Sequence, residues 1–337
     1  MPKNIAVNIL AYNGEKLIAP CLKSVFAQTY SEVKVLVIDN ASKDKSVAMT
    51  RNFAQENKKF PIRIIENKEN IGFAAGHNQG IRESEGEYVF CLNQDVVLDK
   101  DFIKIAVEAM ERDGKIGAVQ GKLYKINDIN RPSRETIDTT GLLIFKNRRV
   151  VNRGQGEKEN GQYNKTEEIF GADGAAPIYR RQALEHAKIN NEYFDESFFC
   201  YKEDIDLSWR MRLLGWKILY EPKAVGYHLR GAGEGAVIRP KEIIKQRKKI
   251  SPFAKFHSFK NQRLMQIKNE LPSLFFPDFF SILIKEIGAW MYVLIFETYT
   301  TKAMRELFKN IPQAVQKRKL IMAKKRIANK ELKVWFK

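Results

Sequence analysis

Four short apolar runs recur at residues 5–10, 33–38, 62–65 and 88–92, each brief and largely β-branched. Runs of that length and make-up predict buried strands. Between them, residues 16–27 place Leu17, Ile18, Cys21, Leu22, Val25 and Phe26 on one helical face, and residues 46–55 and 102–110 repeat the helical period. Strand–helix alternation predicts an α/β fold with a mainly parallel sheet covered on both faces. In such sheets the ligand crevice lies beyond the carboxyl ends of the strands, so the polar residues just after each strand are the ones to inspect. Residues 126–168 turn polar and rich in Gly and Asn, which predicts loops or a hairpin over that crevice. Order resumes at residues 169–179. Leu207, Met211 and Leu214 then share a helical face that Gly215 brings to a stop.

Charge divides the chain in a way that hydrophobicity does not. Of a formal +18, residues 1–230 hold 35 Lys/Arg against 32 Asp/Glu, whereas residues 231–337 hold 23 against 8. The basic character therefore belongs to a helical C-terminal region, with a boundary near Gly231. An apolar content of 44% across 337 residues excludes a disordered chain. Cys21, Cys91 and Cys200 form no CxxC pair, which argues against a disulfide framework or zinc site and fits a reducing cytoplasm. Met1-Pro2-Lys3-Asn4-Ile5 enters a strand pattern directly, without the apolar run of a leader. Residues 274–297 are rich in Phe, Ile, Leu and Trp but include Asp278, Lys285 and Glu286. That mixture points to an interfacial helix rather than a spanning one.

Three strand ends carry acids or amides: Ala11-Tyr12-Asn13, Asp39-Asn40-Ala41-Ser42 and Asn93-Gln94-Asp95. In a parallel sheet they converge on one edge, where neighbouring acids repel unless a cation or donor satisfies them. A nucleotide supplies both, through base N–H groups, ribose hydroxyls and a diphosphate that calls for a divalent cation. Asp39 and Ser42 also have the chemistry of helix caps.

These segments resemble the family-2 glycosyltransferases of the GT-A fold, and within them a rhamnosyltransferase-like branch. Val7-Asn8-Ile9-Leu10-Ala11-Tyr12-Asn13 resembles the family's first strand and base-contacting turn, and Val37-Ile38-Asp39-Asn40-Ala41-Ser42 its second. Asn70-Ile71-Gly72-Phe73-Ala74-Ala75-Gly76-His77-Asn78-Gln79-Gly80 is similar to the branch's Gly-rich segment, and Asn93-Gln94-Asp95 stands where relatives carry Asp-x-Asp. The resemblance spans about residues 4–230. It implies donor-nucleotide contacts from Ala11, Tyr12, Asn13, Asp39, Gly72, Phe73, Asn78, Asn93 and Gln94. With Asn93 in place of a first Asp, Asp95 becomes the anionic ligand for Mg²⁺ or Mn²⁺. Gly72, Gly76 and Gly80 suit either close approach to a nucleotide or tight packing, and His77 either a surface or capping role or a ligand.

The second half is expected to serve the acceptor. Phe170-Gly171-Ala172-Asp173-Gly174 resembles the segment lining the donor-sugar pocket, with Asp173 and Gly174 at a sugar, or Asp173 instead capping a helix or pairing with Arg180. Glu203-Asp204 resembles the family's Glu-Asp step, which implies that Asp204 is the general base and Glu203 a neighbour of the acceptor; acids at a helix start also serve its dipole. Arg210 on that helix is expected to reach the diphosphate, unless it lies on a solvated face. His228 resembles the late histidine that completes a metal site.

Together these expectations describe residues 1–230 as a GT-A catalytic domain, with a donor half at 1–125 and an acceptor half at 126–230, and residues 231–337 as a basic helical region. The implied activity is inverting transfer of a hexose or deoxyhexose, rhamnose favoured, from a dTDP- or UDP-sugar to a surface polysaccharide or lipid-linked glycan. The basic tail suggests a cytoplasmic protein held peripherally on an anionic membrane surface, or helices packed on the catalytic domain with solvated cations outside. The competing classes are a metal-dependent nucleotidyltransferase and a basic membrane- or nucleic-acid-binding protein without catalysis. No nucleic acid is expected, because the basic clusters are interleaved with a long apolar stretch.

Overall fold

The computed structural model describes residues 3–230 and 240–337. Its first part follows the predicted alternation: β1 (Ile5–Ala11), α1 (Ile18–Phe26), β2 (Val33–Asp39), α2 (Ser46–Glu56), β3 (Ile62–Glu66), α3 (Gly72–Glu83), β4 (Tyr88–Asn93), β5 (Val96–Leu98), α4 (Phe102–Glu111) and β6 (Ile116–Lys125). Short strands follow, β7 (Ile137–Thr139), β8 (Leu142–Ile144), β9 (Val150–Asn152), β10 (Glu167–Glu168) and β11 (Ile178–Arg180). They lead into α5 (Arg181–Ala187), α6 (Glu203–Leu213) and the long β12 (Lys217–His228). The remainder is helical: α7 (Pro240–Arg247), α8 (Pro252–Asn269), the single turn α9 (Pro272–Phe275), α10 (Phe279–Phe296), α11 (Thr301–Lys324) and α12 (Asn329–Lys333).

The main sheet runs β10-β12-β6-β11-β4-β1-β2-β3, with β5 added on β12 and β7 on β6. β3, β2, β1 and β4 are mutually parallel, as are β6 and β12, while β11 lies antiparallel between β4 and β6. The register sets Ala11 beside Asp39 and Leu10 beside Asn93, so the three polar strand ends are level at one edge. β3 differs from its predicted burial. Among the described residues it is the edge strand, with β2 as its one neighbour, and its residues are half-buried or exposed.

Residues 126–168 do form a hairpin, β8–β9, but β7 also joins the main sheet beside β6. The glycines of α3 serve packing more than ligand contact. A Cβ at Gly76 would stand 2.5 Å from Leu10, and one at Gly80 would stand 2.8 Å from Ile38, so the spacing of four lets α3 lie flat on β1 and β2.

The change in charge near residue 231 does not mark a separate core. Leu264, Met265, Leu271, Leu307 and Ile321 share one hydrophobic cluster with Leu142, Ile144, Phe170, Ile205 and Trp209 of the sheet-bearing part. Several of the C-terminal cations are interior too. Lys268 and Lys317 are both buried and converge on Asp195, and Arg247 and Lys255 converge on Glu297. Part of the basic tail is therefore structural, because an interior ammonium persists only where carboxylates compensate it.

Candidate active site

Two clefts meet at the carboxyl edge of the sheet. The first, of 480 Å³, is lined by Tyr12, Asn40, Gly72, Phe73, Asn93, Gln94 and Asp95 together with Phe199 and Phe253. Gln94 does not stand free in it. Its amide donates to the carbonyl of Tyr12 (2.9 Å) and its oxygen accepts from the Tyr12 N–H (3.2 Å), tying the end of β4 to the end of β1. Asn13 is likewise committed to the turn, its side-chain oxygen accepting from the Lys43 N–H (2.9 Å). Ala11 is buried behind the cleft. Asp39 has one oxygen on the Ser42 N–H (2.9 Å) and the other buried without a partner, so it caps the turn and still keeps an acceptor in reserve.

The second cleft, of 340 Å³, is lined by Asp173, Gly174, Glu203, Asp204, His228 and Arg230, and shares Phe73, Asn93 and Cys200 with the first. Asn93 thus lies on the boundary between them, and Asp95 and His228 face each other across it. The His228 Nε2 is 3.3 Å from the Asp95 carboxylate, and its Nδ1 is 2.9 Å from Asp138. Burial disfavours a charged ring, but the two carboxylates outweigh it and push His228 up to about 9. Asp138 is fully buried. Burial works against its charge, but Arg230 and His228 overcome this and hold it near 2.

A carboxylate oxygen and an imidazole nitrogen this close, with the other ring nitrogen anchored on a buried acid, are a donor set suited to a divalent cation. Among the described residues no group of three His, Cys, Asp or Glu side chains is placed to hold a metal ion by itself. Asp95 and His228 would be the protein's two ligands to such an ion, and phosphate oxygens would supply others.

Asp204 occupies the far side of the second cleft. One oxygen accepts from the Gly174 N–H (3.0 Å) and the other from the Ile205 N–H (2.8 Å), which fixes the carboxylate's orientation. Burial and the charge of Asp173 nevertheless push it up to about 6. Neighbouring Glu203 is buried more deeply. Burial and the Asp204 charge raise it well above the carboxylate range, and one of its oxygens has no hydrogen-bond partner among the described residues. The loop that presents the pair is unusual: Phe199, Tyr201 and Lys202 all have positive φ (64°, 68° and 75°). Such backbone persists only where its surroundings impose it. Here α8 imposes it, as Asn261 donates to the carbonyls of Phe198 (3.0 Å), Cys200 (2.9 Å) and Tyr201 (2.8 Å).

Two expected site residues lie elsewhere. Arg210 is buried inside the protein, paired with Asp206 (3.0 Å) and donating to the Tyr193 carbonyl (2.5 Å), because the inward face of α6 carries both charges one turn apart. It reaches neither cleft. Asn78 is also interior. Its amide donates to the Phe194 carbonyl (2.8 Å) and Glu196 (2.9 Å), and its oxygen accepts from the Phe194 N–H (2.8 Å). His77 is neither exposed nor capping; it is packed against Phe73 and Phe194, and burial lowers it to about 3. Asp173 pairs with Arg230 (2.9 Å), not with Arg180, which donates to backbone carbonyls of Met110 and Ile116.

The sequence reading missed Asp138, Arg230 and Asn261. Arg230 bridges Asp138 (2.7 Å) and Asp173 and lines the second cleft, which Arg210 does not reach. Its place two residues after His228 was the available signal. For Asp138 the signal was an acid between Ile137 and Thr139 in a stretch otherwise read as loop.

An open, mainly parallel sheet with two adjoining clefts at its carboxyl edge, an Asp–His pair across their boundary and a held carboxylate in the second, has the architecture of the GT-A fold. The chain belongs to glycosyl transferase family 2, whose model matches residues 6–187. Over 232 residues it is 26% identical to the poly-β-1,6-N-acetyl-D-glucosamine synthase of Staphylococcus aureus, covering 67% of this chain and 50% of that protein. The chain thus spans about half the length of the curated relatives it matches. In fold it is similar to the mannosyltransferase PcManGT from Pyrobaculum calidifontis, solved with GDP-Man and Mn²⁺ (TM-score 0.54, 16% identity, 96% of this chain and 86% of that one). It is also similar to S. aureus TarS (TM-score 0.51, 15% identity, 93% of this chain and 55% of that one).

Proposed function

We propose that this protein transfers a hexosyl group, with inversion, from a nucleoside-diphosphate sugar in the first cleft to an acceptor hydroxyl in the second. The observation that carries this reading is the placement of Asp204 and the Asp95–His228 pair in clefts that adjoin at Asn93. Single displacement needs a base on one face of the sugar and charge stabilisation of the leaving diphosphate on the other. Asp95 and His228 would hold Mg²⁺ or Mn²⁺, which supplies that stabilisation. Asp138 orients the His228 ring, and Arg230 keeps Asp138 and Asp173 compensated. Asp204, oriented by two backbone N–H groups, takes the proton from the acceptor hydroxyl. Glu203, held neutral, offers an unpartnered oxygen beside it.

Rhamnose, favoured by the sequence resemblance, draws no support from the relatives, whose names carry N-acetylglucosamine and mannose. The donor is therefore proposed as a nucleotide hexose. The acceptor is proposed as a glycan or lipid-linked glycan at an anionic membrane surface. α10, the one described helix long and apolar enough to cross a membrane, has only 11% of its residues buried, and Phe280 (76%) and Ile284 (72%) stand in solvent. That exposure suits a helix lying in the membrane interface. The test is a panel of UDP-GlcNAc, GDP-mannose and dTDP-rhamnose, each with and without Mn²⁺, read by thermal stabilisation and nucleoside-diphosphate release. Metal-dependent binding of one donor, with release lost in Asp204→Asn, is expected; the absence of binding by any nucleotide sugar would reject the reading.

A further inference from the structure

A third cavity joins the membrane-facing helix to the catalytic one. It measures 460 Å³, lies between α7–α8 and α10, and is walled mainly by apolar groups including Ile243, Phe259, Ile284, Gly288 and Ala289. At its inner end it shares Val150, Lys202, Ile250 and Ser258 with the cleft that holds Asp204. At its outer end it includes Ile284, one of the most exposed apolar residues of α10. A Cβ built on Gly288 meets no atom within 4 Å, so the groove is hollow there rather than closed by side chains. A second groove, of 550 Å³, flanks the same helix beside Phe275, Phe279 and Ile282 but shares no lining residue with the catalytic cleft.

The charges along the connected groove are distributed unevenly. Arg247 is paired with Glu297 (2.6 Å), and Arg263 with Glu286 (2.7 Å), which also takes Lys285. The Lys202 side chain, at the junction with the catalytic cleft, makes no hydrogen bond or ion pair among the described residues, while its backbone carbonyl accepts from the Asp206 N–H (2.9 Å) and its charge acts on Glu203 and Asp204. It stands two residues before Asp204. An ammonium without a direct hydrogen-bond or ion-pair partner at the end of an apolar channel suits an anionic head carried on a hydrocarbon chain.

We propose that this groove binds the hydrocarbon chain of a lipid-phosphate-linked acceptor, with the phosphate at Lys202 and the acceptor hydroxyl delivered to Asp204. The inference rests on the glycosyl-transfer reading of the Asp204 cleft and names its acceptor class. The α10 face would set the protein on the bilayer from which the chain enters, so that the groove and the membrane surface form one continuous apolar path.

The test uses the full chain with farnesyl phosphate, farnesol and phosphatidylglycerol vesicles as probes, and nucleotide-sugar affinity as the control for an intact donor cleft. Farnesyl phosphate is expected to bind and to compete with vesicles poorly or not at all. Gly288→Phe, which fills the hollow and improves helix propensity, is expected to weaken farnesyl phosphate at least tenfold; Gly288→Leu serves if the larger side chain impairs folding. Lys202→Gln is expected to weaken farnesyl phosphate several-fold and to leave farnesol unaffected. Normal nucleotide-sugar binding with no farnesyl phosphate binding, or with binding indifferent to Gly288 substitution, overturns the groove assignment alone. Loss of all nucleotide-sugar binding in the wild-type chain instead rejects the glycosyl-transfer reading beneath it.

Discussion

The two adjoining clefts are built by different means. The donor cleft is made from short turns directly after β1, β2 and β4, with Gln94 and Asn13 lacing one turn to the next. The cleft proposed to be catalytic draws Asp173, Asp204, His228 and Arg230 from widely separated stretches, with Asp138 buried behind His228, and its loop is clamped by α8 from beyond residue 240. A site built on neighbouring strand ends inherits its geometry from the sheet. A site assembled across the fold depends on interior charge pairs and on backbone held in strained conformations. Substitutions at the catalytic cleft are therefore expected to cost more than substitutions at the donor cleft.

The largest effect is expected at Asp204. Asp204→Asn should lower kcat by about 10²–10⁴-fold while leaving donor affinity within about twofold, as read by initial rates and donor titration. In the wild-type protein, kcat should rise with pH through about 6 as the carboxylate forms. The same shift has a consequence for stability. A carboxyl whose folded pKa lies above its unfolded value favours folding below about pH 4 and loses that contribution as pH rises through 6. Asp204→Asn should therefore melt above wild type at pH 8 and close to it at pH 4.

Next in size is the clamp. Asn261→Ala frees three carbonyls of the strained loop and should lower kcat by roughly 10²-fold through misplacement of Asp204, with donor affinity retained. A fall in donor affinity equal to the fall in kcat would show that the two clefts are not separable. Asp138→Asn leaves the His228 ring without its anionic anchor and should weaken Mn²⁺ binding about 10–100-fold, measured directly by electron paramagnetic resonance. The smallest effect belongs to the donor side. Gln94→Ala removes the tie to Tyr12, at a cost of about 1 kcal/mol, and should raise donor KM several-fold with little change in kcat.

Arg210 and Arg230 show why the sequence could be read only so far. Both are arginines near acids, and only burial separates their roles. Arg210 faces the interior and joins Asp206, whereas Arg230 emerges from β12 into the cleft. A helical period identifies α6 but does not say which of its charged residues turns inward once interior acids are available as partners. The same holds for the basic tail, where Lys268 and Lys317 are drawn inside by Asp195. Net charge per segment carries no information about such pairing.

The sequence by itself determined the parallel α/β sheet, the three polar strand ends and the change to basic helices near residue 231, and it singled out Asp95, Asp204 and His228 as candidates. Each of these is encoded locally, by the period of apolar residues or by a motif of a few positions. Only the tertiary structure decided that Asp138 orients His228, that Arg230 and not Arg210 serves the cleft, that Asn261 holds the catalytic loop, and that the C-terminal helices share the core. Those assignments follow from the compensation of buried charge and backbone polar groups between residues about 30 to more than 100 positions apart, which no local pattern records.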